Sequence, residues 1–264
     1  MLRFRASDGA RIAYEAGGLG ESAPIVFLHG AFLSRTMWAP QLDAVGRCPH
    51  LLVDLRGHGH SDRQPLYGIA RLAEDIRGLL CSLGMAGAII CGHSLGGMVA
   101  QRLAVSDPSA VGGLFLAETA YGLSSSRVEW LGALLTTMAI DVLPLGWQAR
   151  LIAAYMGRQR AEVKQYVRAE LAQYIDDPTT FRRIWRAIAD FDGLAELGSL
   201  HCPTHVVVGG LNSQTHRQAH RMATLIPGAS LACVEGAGHM INWDQPARFD
   251  AQLLSFRRRI VGAV

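Results

Sequence analysis

The 264-residue sequence contains no apolar run approaching the roughly 18 residues needed to span a bilayer. Its first residues, "MLRFRASDGARIAYEAGG", lack the apolar h-region of a secretory signal and alternate like a hairpin instead. The five cysteines (48, 81, 91, 202 and 233) are odd in number, widely spaced and without a CxxC, which argues against a disulfide framework or a thiolate metal site. They read as reduced thiols of a cytoplasmic protein. His216 and His220 share a helical face, but no third ligand stands near them, so they read as solvated surface and no metal is expected. Charge of one sign is also scarce. The net charge is +3, arginines dominate the basic residues, and the one dense cluster, "RRR" at 257–259, reads as a solvated helix end. Neither a nucleic acid nor a membrane is expected as a partner. Internal repeats and low-complexity tracts are absent as well.

Half of the residues are apolar, enough for one large domain or a domain with an insertion. "PIVFLHG" (24–30), "HLLVDLRG" (50–57), "GAIICGHS" (87–94), "GGLFLAET" (112–119), "THVVVGG" (204–210) and "ASLACVEGAGH" (229–239) each read as a strand. Most are continuous Val/Ile/Leu/Phe runs, as in parallel strands buried on both faces. Helical patterns separate them. Ile69, Leu72, Ile76, Leu79, Leu80 and Leu83 fall on one face, as do Leu95, Met98, Val99 and Leu103. The alternation predicts an α/β fold: a mostly parallel sheet with helices on both faces and an antiparallel N-terminal hairpin at its edge. From about Leu123 to Leu200 no strand is evident. Val163, Tyr166, Val167, Leu171, Tyr174 and Ile175 follow helical spacing, as do Phe181, Ile184, Trp185 and Ile188. The segment is too long for an ordinary crossover. It reads as a helical cap over residues 123–200, inserted in a core formed by residues 1–122 and 201–264.

Three short stretches carry chemistry. "CGHSLGG" (91–97) is G-x-S-x-G between an apolar run and a helical pattern. That context makes Ser94 an exposed nucleophile on a tight strand-to-helix turn, with the new helix turning its N–H groups toward it. "FLHGAF" (27–32) ends a strand and turns over the sheet's carboxyl edge. The backbone N–H groups of Ala31 and Leu95 are therefore candidates for an oxyanion hole. His29 reads as a brace for this loop. In "EGAGHMINWDQP" (235–246), His239 follows a strand in a glycine-rich loop at the same end of the sheet, the place for a general base.

This chain order, with strand-turn-helix at the serine, resembles the α/β-hydrolase fold family over essentially the whole chain outside the cap. "DLRGHGHSD" (54–62) is similar to that family's loop after the fourth strand. Trp38, following the oxyanion loop, is similar to the bacterial serine esterase and lactonase branch. The resemblance implies an acid after the strand preceding the His-bearing one. There the sequence reads "GGLNSQTH", with Asn212 in the acid's place and no carboxylate at all. Some relatives carry the acid one strand earlier, and Glu118, at the end of "GLFLAETA", occupies that position. Three arrangements stay open: Glu118 as the acid, Asn212 as a neutral partner of His239, or neither.

The expectation is a serine hydrolase that cleaves an ester, thioester or lactone through an acyl-enzyme, without cofactor. Cap aromatics Trp130, Trp147, Tyr155, Tyr166, Tyr174 and Trp185 favour a small apolar or aromatic acyl substrate. Two alternatives stand beside it. One is a non-hydrolytic enzyme of the same fold, a lyase or cofactor-independent oxygenase using a Ser-His dyad. The other is a ligand-binding protein with vestigial turnover. The sequence is compatible with a homo-oligomer and does not decide the matter.

Overall fold

The structure is a computed structural model that describes residues 1–20, 22–63, 68–123 and 127–262. Its strands are β1 (Leu2–Arg5), β2 (Arg11–Gly17), β3 (Ile25–Leu28), β4 (His50–Val53), β5 (Ala88–His93), β6 (Val111–Ala117), β7 (Thr204–Gly209) and β8 (Ser230–Val234). Its α-helices are α1 (Leu42–Val45), α2 (Ile69–Ser82), α3 (Leu95–Ser106), α4 (Arg127–Val142), α5 (Leu145–Met156), α6 (Ala161–Ala172), α7 (Pro178–Ala189), α8 (Ser213–Leu225), α9 (Ile241–Asp244) and α10 (Pro246–Val261).

The strands form one eight-stranded sheet in the order β1-β2-β4-β3-β5-β6-β7-β8. β1 and β2 are antiparallel, as the alternating N-terminus predicts, and β3 to β8 run parallel to one another. Five of the apolar runs named above contain one of these parallel strands, and the sixth, 112–119, covers all of β6 but its first residue, Val111. All residues of β3, β5 and β7 are buried, because helices cover both faces of the sheet. α2 has the stripe its spacing requires, burying Ile69, Leu72, Ala73, Ile76, Leu79 and Leu80.

Between β6 and β7 the described residues hold four α-helices, α4 to α7, and no strand. Residues 124–126, part of the expected cap, lie outside the described residues, as do residues 263–264 of the expected core. Phe32 beyond β3 stacks on Phe181 of α7 at 4.1 Å, and Tyr166 of α6 stacks on Trp243 of α9 at 4.9 Å. The inserted helices therefore rest on the loops at the carboxyl edge of the sheet.

Register matters most at that edge. His93 of β5 pairs with Ala117 of β6, so the next residues, Ser94 and Glu118, leave the sheet at the same level on adjacent strands. β7 lies next to β6, and its following loop carries Asn212.

Candidate active site

Ser94 stands between β5 and α3 with φ 51° and ψ −114°. Left-handed backbone is costly for a residue with a Cβ, and here tight neighbours enforce it. A Cβ on Gly92 would lie 2.5 Å from Gly96 O, and one on Gly96 would overlap Leu28 O. The two glycines of the motif are thus the condition for the turn to pass between β3 and α3. Thr119 Oγ1 donates to Ser94 O at 2.7 Å and braces the turn from β6. Among the described residues only Phe32, Ser94 and Glu118 combine a side chain with positive φ. All three stand at this edge, Ser94 and Glu118 immediately beyond β5 and β6 and Phe32 in the loop that follows β3.

The β3 loop reaches Ser94 from the other side. A Cβ on Gly30 would stand 3.5 Å from Ser94 Cβ, so Gly30-Ala31 runs directly past the serine. Leu95 opens α3, whose first N–H groups have no intrahelical acceptor. His29 Nε2 accepts the Leu55 N–H at 2.9 Å and its Nδ1 bonds Gly30 O at 2.8 Å, the bracing role its position suggests. Burial lowers its pKa to about 4, so it stays neutral.

His239 follows β8. His93, next to the serine, donates from Nε2 to His239 O at 2.7 Å, and the two rings lie 4.9 Å apart. Burial lowers the His93 pKa to about 3, which keeps this structural ring uncharged beside His239. Asp244 accepts the Gly238 N–H at 2.8 Å and fixes the loop from its far side.

Glu118 is 1% exposed, yet its carboxylate is fully engaged. Oε1 accepts the Gly209 N–H; Oε2 accepts from Asn212 Nδ2, from Thr215 Oγ1 at 3.0 Å and from His239 Nδ1 at 3.2 Å. Such charge-assisted bonds offset the desolvation of a buried anion. A carboxylate only accepts, so the histidine's hydrogen belongs on Nδ1 and Nε2 keeps its lone pair. Asn212 Nδ2 stands 3.4 Å from His239 Nδ1, the longer contact of the two. Its own orientation follows from its partners: Nδ2 must face the carboxylate, and Oδ1 then accepts from Tyr155 Oη at 2.9 Å. Among the described residues no hydrogen bond joins Ser94 Oγ to His239, and no group of histidine, cysteine and acidic side chains could hold a metal.

The family model described as "Alpha/beta hydrolase family" matches residues 25–252. The chain belongs to the alpha/beta hydrolase family. Three similar proteins stand beside it. An esterase of Mycobacterium tuberculosis is 30% identical, over 92% of this chain and 84% of its own length. The N-acyl homoserine lactone degrading enzyme Est816 is 26% identical with a TM-score of 0.82, over 95% of this chain and 98% of that one. A solved hydrolase from Pseudomonas aeruginosa PA01 is 30% identical, covers 97% of both chains and has a TM-score of 0.86.

In this alpha/beta hydrolase the structure gathers Ala31, Ser94, Leu95, Glu118, Asn212 and His239 at one sheet edge. Of the cap aromatics, Tyr155, Tyr166 and Tyr174 pack on the loops of this edge, while Trp130 and Trp147 are exposed to solvent. Tyr174 is buried, Tyr166 packs on Trp243, and Trp185 Nε1 bonds Thr137. Trp130 and Trp147 are 55% and 64% exposed; Tyr155 alone of the six has a described ring contact with His239, at 6.1 Å. Thr215 and His93 escaped the sequence reading. A threonine three residues past Asn212 on a new helix carries no signal by itself, whereas His93 adjoins the motif serine. A cleft of about 540 Å³ lined by Arg102, Arg183, Arg186 and Phe191 includes none of Ser94, Glu118 and His239 in its walls.

Proposed function

We propose that this alpha/beta hydrolase is a serine hydrolase that cleaves a carboxylic ester, thioester or lactone through an acyl-enzyme on Ser94. The observation that carries the reading is the buried Glu118 carboxylate 3.2 Å from His239 Nδ1. It holds the histidine in the tautomer whose Nε2 accepts a proton, and it stabilises the imidazolium once formed. Ser94 Oγ attacks the acyl carbonyl and gives its proton to His239 Nε2. The Ala31 and Leu95 N–H groups receive the oxyanion, a contribution of roughly 3–4 kcal/mol per donor. The imidazolium then protonates the leaving oxygen or sulfur as its bond to the acyl carbon breaks. Water, deprotonated by the same nitrogen, releases the acid and restores the serine. The Ser94–His239 hydrogen bond closes when substrate binds, as often happens in this class of site. A carboxylate in contact with the histidine supports turnover over ligand binding alone.

The test is a panel of aryl and alkyl esters, thioesters and lactones, assayed with wild type and Ser94→Ala. Turnover of at least one class, abolished in a folded alanine variant, is expected. Esterase activity that survives Ser94→Ala with unchanged stability would refute the covalent mechanism.

A further inference from the structure

The loop that offers the Ala31 N–H is held from two sides. The core fixes its ends: Gly30 N–H donates to Met37 Sδ at 3.4 Å, and Arg35 N–H to Asp54 Oδ1 at 2.7 Å. Between them the chain makes a turn, closed by Leu33 N–H on Gly30 O at 3.3 Å, with Phe32 as its third residue at φ 64°. Glycine or asparagine commonly takes a left-handed third position, because a bulky side chain is strained there. Such strain persists only where the surroundings impose it. Here they belong to the inserted segment. The buried Phe32 ring stacks on Phe181 of α7 at 4.1 Å with 13° between the planes, and meets Tyr174, between α6 and α7, edge-on at 5.9 Å.

A second contact lies two residues further on. Ser34, itself buried, donates from Oγ to Glu170 Oε1 of α6 at 2.9 Å, and Thr36 Oγ1 donates to the same oxygen at 3.0 Å. Tyr166, one turn earlier on α6, has its Oη 3.2 Å from Thr36 Oγ1. Gln173 Nε2 donates to Glu170 Oε2 at 3.3 Å. Among the described residues no cation pairs with Glu170. Arg35, next to Ser34, is engaged by Glu15 and Asp54, both at 2.7 Å, and Arg63 by Asp177 at 3.3 Å. The acceptor capacity of this carboxylate goes to the hydroxyls of the loop.

We propose that Phe181 and Glu170 are positioning residues for the oxyanion hole: the inserted helices hold the turn that presents the Ala31 N–H to Ser94. The inference rests on the serine-hydrolase reading given above. Each residue acts through another. Phe181 acts through the backbone angle of Phe32, and Ala31, one residue earlier in the same turn, moves when that angle relaxes. Glu170 acts through Ser34, which ends the loop. A donor that stabilises an oxyanion must stand in place before the charge develops. Its displacement raises the transition state and leaves the bound ground state alone, so the maximal rate falls and half-saturation stays.

Saturation kinetics of fluorophosphonate labelling at Ser94, read by intact mass on the full chain, test the inference. Phe181→Leu and Glu170→Ala should each lower the maximal labelling rate roughly tenfold, less than the roughly 10²–10³-fold that outright removal of a donor costs. Half-saturation should stay within about twofold of wild type, as for an interaction made only in the transition state. Glu170→Gln keeps an oxygen able to accept from Ser34 and Thr36 and should label close to wild type. Phe32→Gly distinguishes positioning from a loosened fold. Glycine adopts the turn without the stack, so adding Phe181→Leu to Phe32→Gly should slow labelling no further. Deuterium exchange over residues 29–36 gives a readout independent of reactivity: Phe181→Leu and Glu170→Ala should exchange faster there, with β5 and β6 unchanged. Wild-type labelling rates in both variants, a change confined to half-saturation, or an equal loss from Phe181→Leu in the wild-type and Phe32→Gly backgrounds would overturn the inference. Unchanged exchange over residues 29–36 would overturn it by itself, whereas a wild type that is never labelled would refute the serine-hydrolase reading on which it rests.

Discussion

Asn212 occupies the loop position where the family resemblance leads one to look for an acid, and its amide does what an aspartate cannot. Nδ2 donates to Glu118 while Oδ1 accepts from Tyr155. Asn212→Asp would place a second carboxylate against the first in a buried site, where two like charges cannot both ionise without cost. The substitution should lower kcat rather than raise it and destabilise the fold by about 1–3 kcal/mol, the usual penalty for a buried polar group that loses its partner. Ester kinetics and thermal unfolding of the purified variant check both expectations. An orders-of-magnitude gain in kcat would instead identify Asn212 as a degraded triad member. Gly96 gives a second residue-scale prediction. Its missing Cβ leaves room for Leu28 O, so Gly96→Ala should displace Ser94 and abolish covalent labelling while much of the helical signal remains.

At the scale of elements, strand order explains how an acid just beyond β6 comes within 3.2 Å of a histidine beyond β8. Ser94 and Glu118 leave neighbouring strands at one level, and the Asn212 and His239 loops follow the next two strands. The runs of Val, Ile and Leu showed where strands lie, and G-x-S-x-G showed which strand bears the serine. What no run shows is which side chain closes on Glu118, because that depends on loop paths fixed by distant packing. Tyr155 is the clearest case. It counted only as a cap aromatic, yet it ties α5 to Asn212, and Arg158 covers its ring at 5.3 Å while donating to Leu211 O at 2.5 Å. Burial raises the Tyr155 pKa, so the phenol remains a donor. Tyr155→Phe should cost about 1 kcal/mol of positioning, the net worth of one hydrogen bond. A fall of roughly fivefold in kcat with KM little changed is expected; a change confined to KM would make the tyrosine a substrate contact instead. α10 supplies a pH prediction. Burial raises the Asp250 pKa from 3.8 to about 6, and its Oδ1 has no hydrogen-bond partner among the described residues. Between those two values the folded chain binds more protons than the unfolded one, so this group's contribution to stability falls as pH rises and its cost is complete above about pH 6. Asp250→Asn should therefore raise Tm above pH 6, by the equivalent of about 1–2 kcal/mol after allowance for partial exposure. The gain should shrink toward pH 4. An unchanged Tm difference across that range would show that Asp250 does not titrate this way.

For the molecule as a whole, the chemistry collects at one edge of the sheet and the apolar exposure at the inserted helices. The first was largely legible, because strand order and motif position carry it. The second was not, because an apolar stripe reads alike whether the folded chain buries or exposes it. No described helix is long and apolar enough to cross a membrane. The strained turns beyond β3, β5 and β6 stand together because the sheet delivers three strand ends to one place. In the proposed mechanism a reactive serine there would depend on a carboxylate taken from β6 rather than from the loop after β7. The rate at which a fluorophosphonate labels Ser94, followed by intact-mass spectrometry in wild type, Glu118→Gln and Asn212→Ala, tests that dependence most directly. Glutamine keeps the size of Glu118 and removes its charge, so labelling should slow by orders of magnitude, up to the roughly 10⁴-fold seen when a triad acid becomes an amide. Asn212→Ala should slow it far less. A Glu118→Gln variant that labels as fast as wild type, with Asn212→Ala inert, would contradict the assignment of Glu118 as the acid.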